Sequence, residues 1–474
     1  MCAAFVEIMN LQIKSGIRSP LIAVAEKATA VFTTIAVLEK TDHKGDDHIQ
    51  FLCVELGRIE EEEKRISSAL EMASKTNTPD DLSTEPPTAP TVQHRQNMIR
   101  KRFLMNCLAN LCNAQSEPLL DRTANLVITA VVVDGLDRSR SFRDSADDAV
   151  EVEALRTLSF VLFSLREQLK DVQTRNRLMP TLKAVILDFP EAGQTDSDQD
   201  RRQWSYSCLD AAAPSFYSFL SEYADSLIEM TCRTFQRNVD GEVFACLSMW
   251  LTLLEAESTL QRDSCTTHDP QPLDSRLSKK AEQHFTEPLI SILLSVKPDQ
   301  DHDDWKHSAL VGLFLSELYA QNHSQALFDR FMSFISQNLL VMSNDGQNVM
   351  GLSEPAIVPP FTHRWTAISL LGCLTMGIKK ESKQLSIVGK RMFQNQPLQT
   401  EIDDLQTVVT QAKERRQELE KYSLSVLPTL LKGMIEDDVP SVRSICAWAV
   451  MWISSEQFLS ICPKQIPISE PNPL

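Results

Sequence analysis

Residues with the chemistry to act are sparse in this sequence, and the densest group is 299-DQDHDDW-305, followed two positions later by His307. His302 and His307 flank Asp303 and Asp304, donor types that can hold a divalent cation. On a polar loop without a further spaced ligand pair, a solvated acidic turn is the ordinary reading, and no metal is expected. The same residues also suit recognition: Asp301, Asp303 and Asp304 raise the local anion density, and the indole of Trp305 can seat a guanidinium. The run 60-EEEE-63 reads as a solvated helix face. Cys107 and Cys112 have four residues between them and no second pair to complete a zinc site. The eleven cysteines are scattered singly, mostly in apolar stretches, and read as reduced core hydrophobes of a cytosolic or nuclear protein. No H-E-x-x-H, G-x-S-x-G, P-loop or G-x-G-x-x-G occurs. Triads assembled in space leave no such trace, and the expectation of no enzyme and no cofactor rests on the binding role usual for the fold read below.

The elements that must position these residues are helical. Hydrophobic residues make up 43% of 474, enough for a large core, while only 13 glycines disfavour turn-rich β architecture. The formal charge is −17, from 64 acids against 47 Lys and Arg. That balance argues against direct nucleic-acid binding, which needs clustered cations, and suits a basic partner. Apolar runs such as 126-LVITAVVV-133 fall short of the roughly 20 residues that span a bilayer, and the N-terminus lacks the features of a signal peptide. No membrane insertion is expected, and the chain reads as soluble and intracellular.

Apolar segments with helical spacing come in pairs separated by polar breaks. The last pair is 424–436 with 440–454, joined by the corner 436-EDDVPSVR-443. Acid ahead of the second helix favours its N-terminus, Pro440 suits a first helical turn, Val442 can pack inward, and Arg443 can reach acids of an adjacent repeat. Similar pairs occupy 225–236 with 240–257, 285–296 with 304–320, and 325–340 with 363–380. Weaker ones occupy 124–136 with 149–165 and 175–187 with 203–220, the Val-rich 127–133 being read as helix. Small residues on the second helices let layers approach. A two-helix unit cannot bury its own apolar face, so stacking is required, and the spacing is too irregular for ankyrin or tight tetratricopeptide arrays. The expected fold is all-α: a right-handed HEAT-repeat (armadillo-like) α-solenoid. Degenerate N-terminal repeats are expected over 1–72, a disordered linker over 73–94, the solenoid over 95–460 with a polar insert at 381–423, and a C-terminal tail over 461–474. The insert is expected to form a protruding helical hairpin.

The order of features from 225 onward resembles the central HEAT repeats of the importin-beta (karyopherin-beta) family. The residues that carry the resemblance are 243-VFACLSMWLTLLEAES-258, the acidic corner 299-DQDHDDW-305, 364-RWTAISLLGCLTMGI-378 and 426-VLPTLLKGMIEDDVPSVRSICAWAV-450. The resemblance implies a nuclear transport receptor, shuttling between cytoplasm and nucleus through the nuclear pore. It would hold a basic cargo or importin-alpha-type adaptor helix on its concave, second-helix face. Carried over residue by residue, Trp250 and Glu255 match the upstream Trp-acid helix, and Asp301, Asp303, Asp304 and Trp305 match the acidic loop. Phenylalanine-rich nucleoporins and the Ran GTPase are further implied partners. Departures are the short acidic loop interrupted by His302, the insert, and a chain much shorter than family members, so the expectation is a divergent or partial karyopherin. The alternative is a HEAT scaffold without a transport role, organising a multiprotein complex.

Overall fold

The computed structural model describes residues 12–18, 22–38, 44–76, 89–114, 119–136, 145–189, 196–264, 276–295, 305–339, 360–394 and 399–461. Among these, helix follows helix and no strand occurs. The chain divides into two compact units, Met1–Leu227 and Ile228–Leu474.

The first unit holds α1 (Ile22–Leu38), α2 (Lys44–Thr76), α3 (Ala89–Ala114), α4 (Asp121–Ile128), α5 (Ser145–Ser164), α6 (Val172–Leu187) and α7 (Asp196–Glu222). The Val-rich stretch is helical as expected, α4 running on as a π-helix over Thr129–Leu136. Of the expected linker, 77–88 lie outside the described residues, while α2 continues to Thr76 and α3 starts at Ala89. The most extensive packing joins α3, α5 and α7 in a row. Small polar side chains hold that row in register by bonding a neighbour's backbone carbonyl. Thr157 Oγ1 donates to Met105 O at 3.1 Å, Ser164 Oγ to Cys112 O at 3.0 Å, and Cys208 Sγ to Leu155 O at 2.9 Å. The bonded residues lie 52, 52 and 53 positions apart, so each second helix repeats its neighbour's contact one layer on.

One expectation in this unit fails. The run 60–63 is no solvated face: Glu60 and Glu63 are buried, bonded to Lys101, His94 and Asn97 of α3. A 33-residue helix packed on two sides has few faces left for water, so a run of four acids must put some of them inside.

The second unit continues with α8 (Ala224–Arg237), which crosses the division, α9 (Asp240–Ser264), α10 (Leu277–Leu294), α11 (Trp305–Asn322), α12 (Gln325–Asn338), α13 (Phe361–Gln394), α14 (Gln399–Glu436) and α15 (Pro440–Ile461). Here α9, α11, α13 and α15 form the row of second helices. Corners are closed by local chemistry. Asn238 (φ 50°) and His323 (φ 49°) take the left-handed conformation that ends a helix, and the Ser324 side chain accepts the Leu327 N–H at 3.2 Å to start α12. Some first helices carry a mid-helix proline, Pro288 in α10 and Pro428 in α14, with Pro180 in α6 of the first unit. Each removes one ladder hydrogen bond and favours a bend.

Close approach along the row needs small residues. A Cβ on Gly372 of α13 would run into the Trp448 ring of α15, and one on Gly377 would lie 2.6 Å from Tyr319 Cδ1 of α11. The corner at 437–439 works differently from expectation in one respect. Val442 is buried and Pro440 opens α15 as foreseen. Arg443, however, donates to the carbonyl of Asp437 in its own corner at 2.6 Å, and it is Arg364 of α13 that crosses to the Asp437 carboxylate at 3.1 Å. A backbone carbonyl one turn away costs a long side chain less entropy than a remote acid.

The insert extends the two flanking helices: α13 runs on to Gln394 and α14 begins at Gln399, giving 34- and 38-residue helices. Its base is pinned by a buried network. Arg415 Nη2 donates to Glu381 Oε1 at 2.6 Å and Nε to Tyr319 OH at 3.0 Å, while Tyr319 OH donates to Glu381 Oε2 at 3.2 Å. His323 Nδ1 lies 3.0 Å from Glu381 Oε1, and Arg415 Nη1 donates to Gln325 Oε1 at 3.2 Å. Burial is the main cause that pushes the Tyr319 pKa up, so its hydroxyl keeps its proton as donor.

Candidate interaction surface

The second-helix row has one packed side and one side left to solvent, and Trp250 and Glu255 divide between them. Trp250 belongs to the packed side. Its side chain is 0% exposed, the indole N–H donates to Thr231 Oγ1 of α8 at 2.7 Å, and the ring meets Phe285 of α10 edge-on at 4.9 Å. An indole without exposed surface cannot seat a guest cation, so Trp250 is a core residue that ties α8, α9 and α10 together. Five residues further along α9 the helix has turned by about 140°. Glu255 is therefore exposed, and its carboxylate has no partner among the described residues. Trp250 and Glu255 do not share a site.

The helix period identifies what does accompany Glu255. Phe244, eleven residues back, lies about 20° away in azimuth and is 47% exposed, with Leu251 half-buried between them. The exposed face of α9 thus offers an aromatic ring, an aliphatic side chain and a carboxylate over roughly 16 Å. Glu257, the other acid closing this helix, turns inward. It accepts the Ser278 N–H at 3.1 Å in the first turn of α10, where a carboxylate favours the helix N-terminus.

Asp301, Asp303 and Asp304 lie outside the described residues, as does the whole corner 299–304. Trp305 is the first residue of α11. Further along the row the described charges are paired or covered. Glu317 of α11 pairs with Lys380 of α13, and Lys379 lies 4.9 Å over the Trp452 ring of α15.

In the first unit the corresponding face carries a different group. Arg156 lies 6.0 Å over Phe160 and 5.8 Å over Trp204, bonds Glu153 at 2.8 Å, and leaves a 3.5 Å contact to Asn110 of α3. This cluster, like the Arg415 network, was not singled out by sequence. Arg156 meets Glu153 and Phe160 at local helical spacing, but Trp204, Asn110 and the partners of Arg415 lie 34–96 positions away, where no local pattern marks them.

All eight described cysteines are free thiols and seven are buried. Burial pushes the Cys53, Cys107, Cys373 and Cys446 pKa values up to about 12. No group of three or more His, Cys, Asp or Glu able to hold a metal occurs among the described residues. Over 240–261, α9 is long and apolar enough to cross a membrane, but half of that window is buried inside its own unit, as in a core helix.

Comparison with solved structures places this architecture. Yeast importin-beta (Kap95p) superposes with a TM-score of 0.55 at 17% identity, covering 96% of this chain and 46% of that one. The chain has an importin-beta-like HEAT-repeat fold. The Kap95:Nup1 complex gives 0.52 at 17% identity over 94% of this chain and 45% of that one. Kap95p with RanGDP gives 0.52 at 16% identity, with the same two coverages of 94% and 45%. The chain thus spans less than half the length of the importin-beta chains it resembles. No protein-family model and no curated protein sequence matches it.

Proposed function

We propose that the protein is a transport receptor of the importin-beta kind, which holds a basic cargo or adaptor helix against the exposed face of its second helices. The importin-beta-like fold over nearly the whole chain carries this reading. Glu255 with Phe244 on α9 supports it by giving a cationic amphipathic helix both a carboxylate and an apolar seat. Asp301, Asp303, Asp304 and Trp305 are the further residues assigned to this site by the resemblance. Phenylalanine-rich nucleoporins and Ran are the further partners, by analogy with the solved Nup1 and RanGDP complexes of Kap95p. The protein would then work in cytoplasm and nucleus, concentrated at the nuclear envelope.

The test is fluorescence anisotropy with an Arg- and Lys-rich helical peptide at low and moderate salt. Glu255→Lys and, separately, the triple change of Asp301, Asp303 and Asp304 to Asn should each weaken binding by about tenfold and flatten its salt dependence. Affinity unchanged in both variants would remove the proposed site. Diffuse staining with no rim at the nuclear envelope would favour the non-transport scaffold.

A further inference from the structure

In the first unit a groove of about 480 Å³ opens between residues 12–18, α1, α2 and α3. That is the size of a small-molecule site. Its α2 wall is a ladder of alternating charge, Glu55, Arg58, Glu62 and Arg65, which the helix period places on one face. Glu61 stands beside Glu62, Arg18 enters from the first segment, and Arg100 faces from α3. The floor is apolar, with Ile17, Ala25, Ile59, Phe103 and Leu104.

The charges are unequally committed. The Glu55 carboxylate is buried and already taken by two guanidiniums: Arg18 Nε donates at 2.8 Å and Arg58 Nη1 at 3.3 Å. Its charge is therefore spent, while Arg58 keeps its remaining donors. Arg65 is exposed at the groove and makes no hydrogen bond or ion pair among the described residues. On the carboxylate side, Glu62 accepts from Gln93 Nε2 at 3.2 Å, and Glu61 is exposed. The groove thus presents guanidinium donors above an apolar floor, with two carboxylates along the same wall.

We propose that this groove binds a small ligand carrying one oxyanion, a phosphate monoester or a carboxylate, on an apolar body. Arg65, which has no partner among the described residues, holds the anion through charge-assisted hydrogen bonds, Arg58 adds its charge two turns away, and the body lies against half-buried Phe103. Glu61 and Glu62 select against polyanions, whose further charges would meet carboxylates of like sign. The site is independent of the proposed receptor role, since its residues belong to a separate unit.

Isothermal titration calorimetry on the full chain tests it with phenyl phosphate, benzoate, inorganic phosphate and inositol hexakisphosphate. Phenyl phosphate should bind saturably and at least about tenfold tighter than inorganic phosphate, which lacks the apolar body. The double variant Arg58→Ala with Arg65→Ala should weaken it by about tenfold or more, and Glu61→Gln with Glu62→Gln should tighten it by a few-fold. Both arginines are exposed and Arg18 still neutralises Glu55, so an unchanged circular dichroism melt confirms that the variants fold. The pH dependence separates the two oxyanions. The guanidiniums stay charged throughout, so affinity for phenyl phosphate rises through about pH 6 as its second proton leaves, whereas benzoate affinity stays level from pH 5.5 upward. No saturable binding of either organic probe, unchanged affinity in the arginine variant, or tighter binding of the hexakisphosphate than of phenyl phosphate would each overturn the assignment.

Discussion

Replacing Trp250 separates a core role from a binding role. The indole is fully buried, meets Phe285 edge-on at 4.9 Å and donates to Thr231 Oγ1 at 2.7 Å. Truncation to Ala removes a fully buried aromatic and leaves a cavity between α8, α9 and α10, which costs about 3–5 kcal/mol. Trp250→Phe keeps most of the apolar contact and loses the N–H donor, with a cost of about 1–2 kcal/mol. Because a long repeat chain need not unfold in one step, the quantity to read is local opening, measured by amide hydrogen exchange in α8–α10. At about 1.4 kcal/mol per tenfold, Trp250→Ala should speed exchange there by roughly a hundredfold to a few thousandfold, and Trp250→Phe by about five- to thirtyfold. Under conditions where Trp250→Phe remains folded, its affinity for a basic peptide should equal that of the wild type, whereas Glu255→Lys should lose affinity without gaining exchange. Loss of peptide binding in Trp250→Phe at unchanged exchange rates would refute the placement of this residue.

Other outcomes follow from the same packing. Arg415→Ala leaves Glu381 buried without its guanidinium and should destabilise the α13–α14 arms by about 3–5 kcal/mol, seen as faster exchange on both sides of 395–398. The double change Arg415→Met with Glu381→Leu should recover much of that loss, because neither charge is then left alone. Gly372→Ala places a methyl against the Trp448 ring and should loosen the α13–α15 contact by about 1–3 kcal/mol, read as a rise in Trp fluorescence quenching by iodide. Among the described thiols, half-buried Cys232 should react first with a disulfide reagent at pH 8. Cys53, Cys107, Cys373 and Cys446, pushed to about 12, hold only about one thiolate in ten thousand at that pH and should stay unmodified until the chain opens.

The repeat architecture was legible because its signals are local. Pro440 at a helix start, the buried Val442 and the small Gly372 each follow from spacing within one corner or one helix. The site was legible only in part. The family resemblance brought in Trp250 with Glu255 as a Trp-acid helix, but matching a motif says nothing of azimuth. The helix period alone would have put Phe244 beside Glu255 and Trp250 away from it. The acids of 60–63 show the same limit, since four neighbours cover all sides of a helix and only the packing of α3 decides that Glu60 and Glu63 go inside. The Arg415–Glu381 pair, 34 residues apart and both within a charged run, carries no signal that a pattern could detect.

In a stacked array, packing claims side chains before binding does. A junction between two helix pairs must satisfy helix ends as well as bury apolar faces, and the strongest polar and aromatic groups serve that need. Glu257 caps α10, Asp437 receives Arg364, and Trp250 bridges three helices. Glu255 on α9 and Arg65 beside the groove of the first unit are exposed and serve no such junction among the described residues. Each can change without disturbing the register that bonds such as Thr157 to Met105 maintain. Under the two proposals, substitution at these exposed positions should alter binding at nearly unchanged stability, within about 0.5 kcal/mol. Equal substitution at Trp250, Glu257 or Asp437 should do the reverse, and a stability loss above about 2 kcal/mol from Glu255→Lys or Phe244→Ala would show that the exposed face is itself part of a junction.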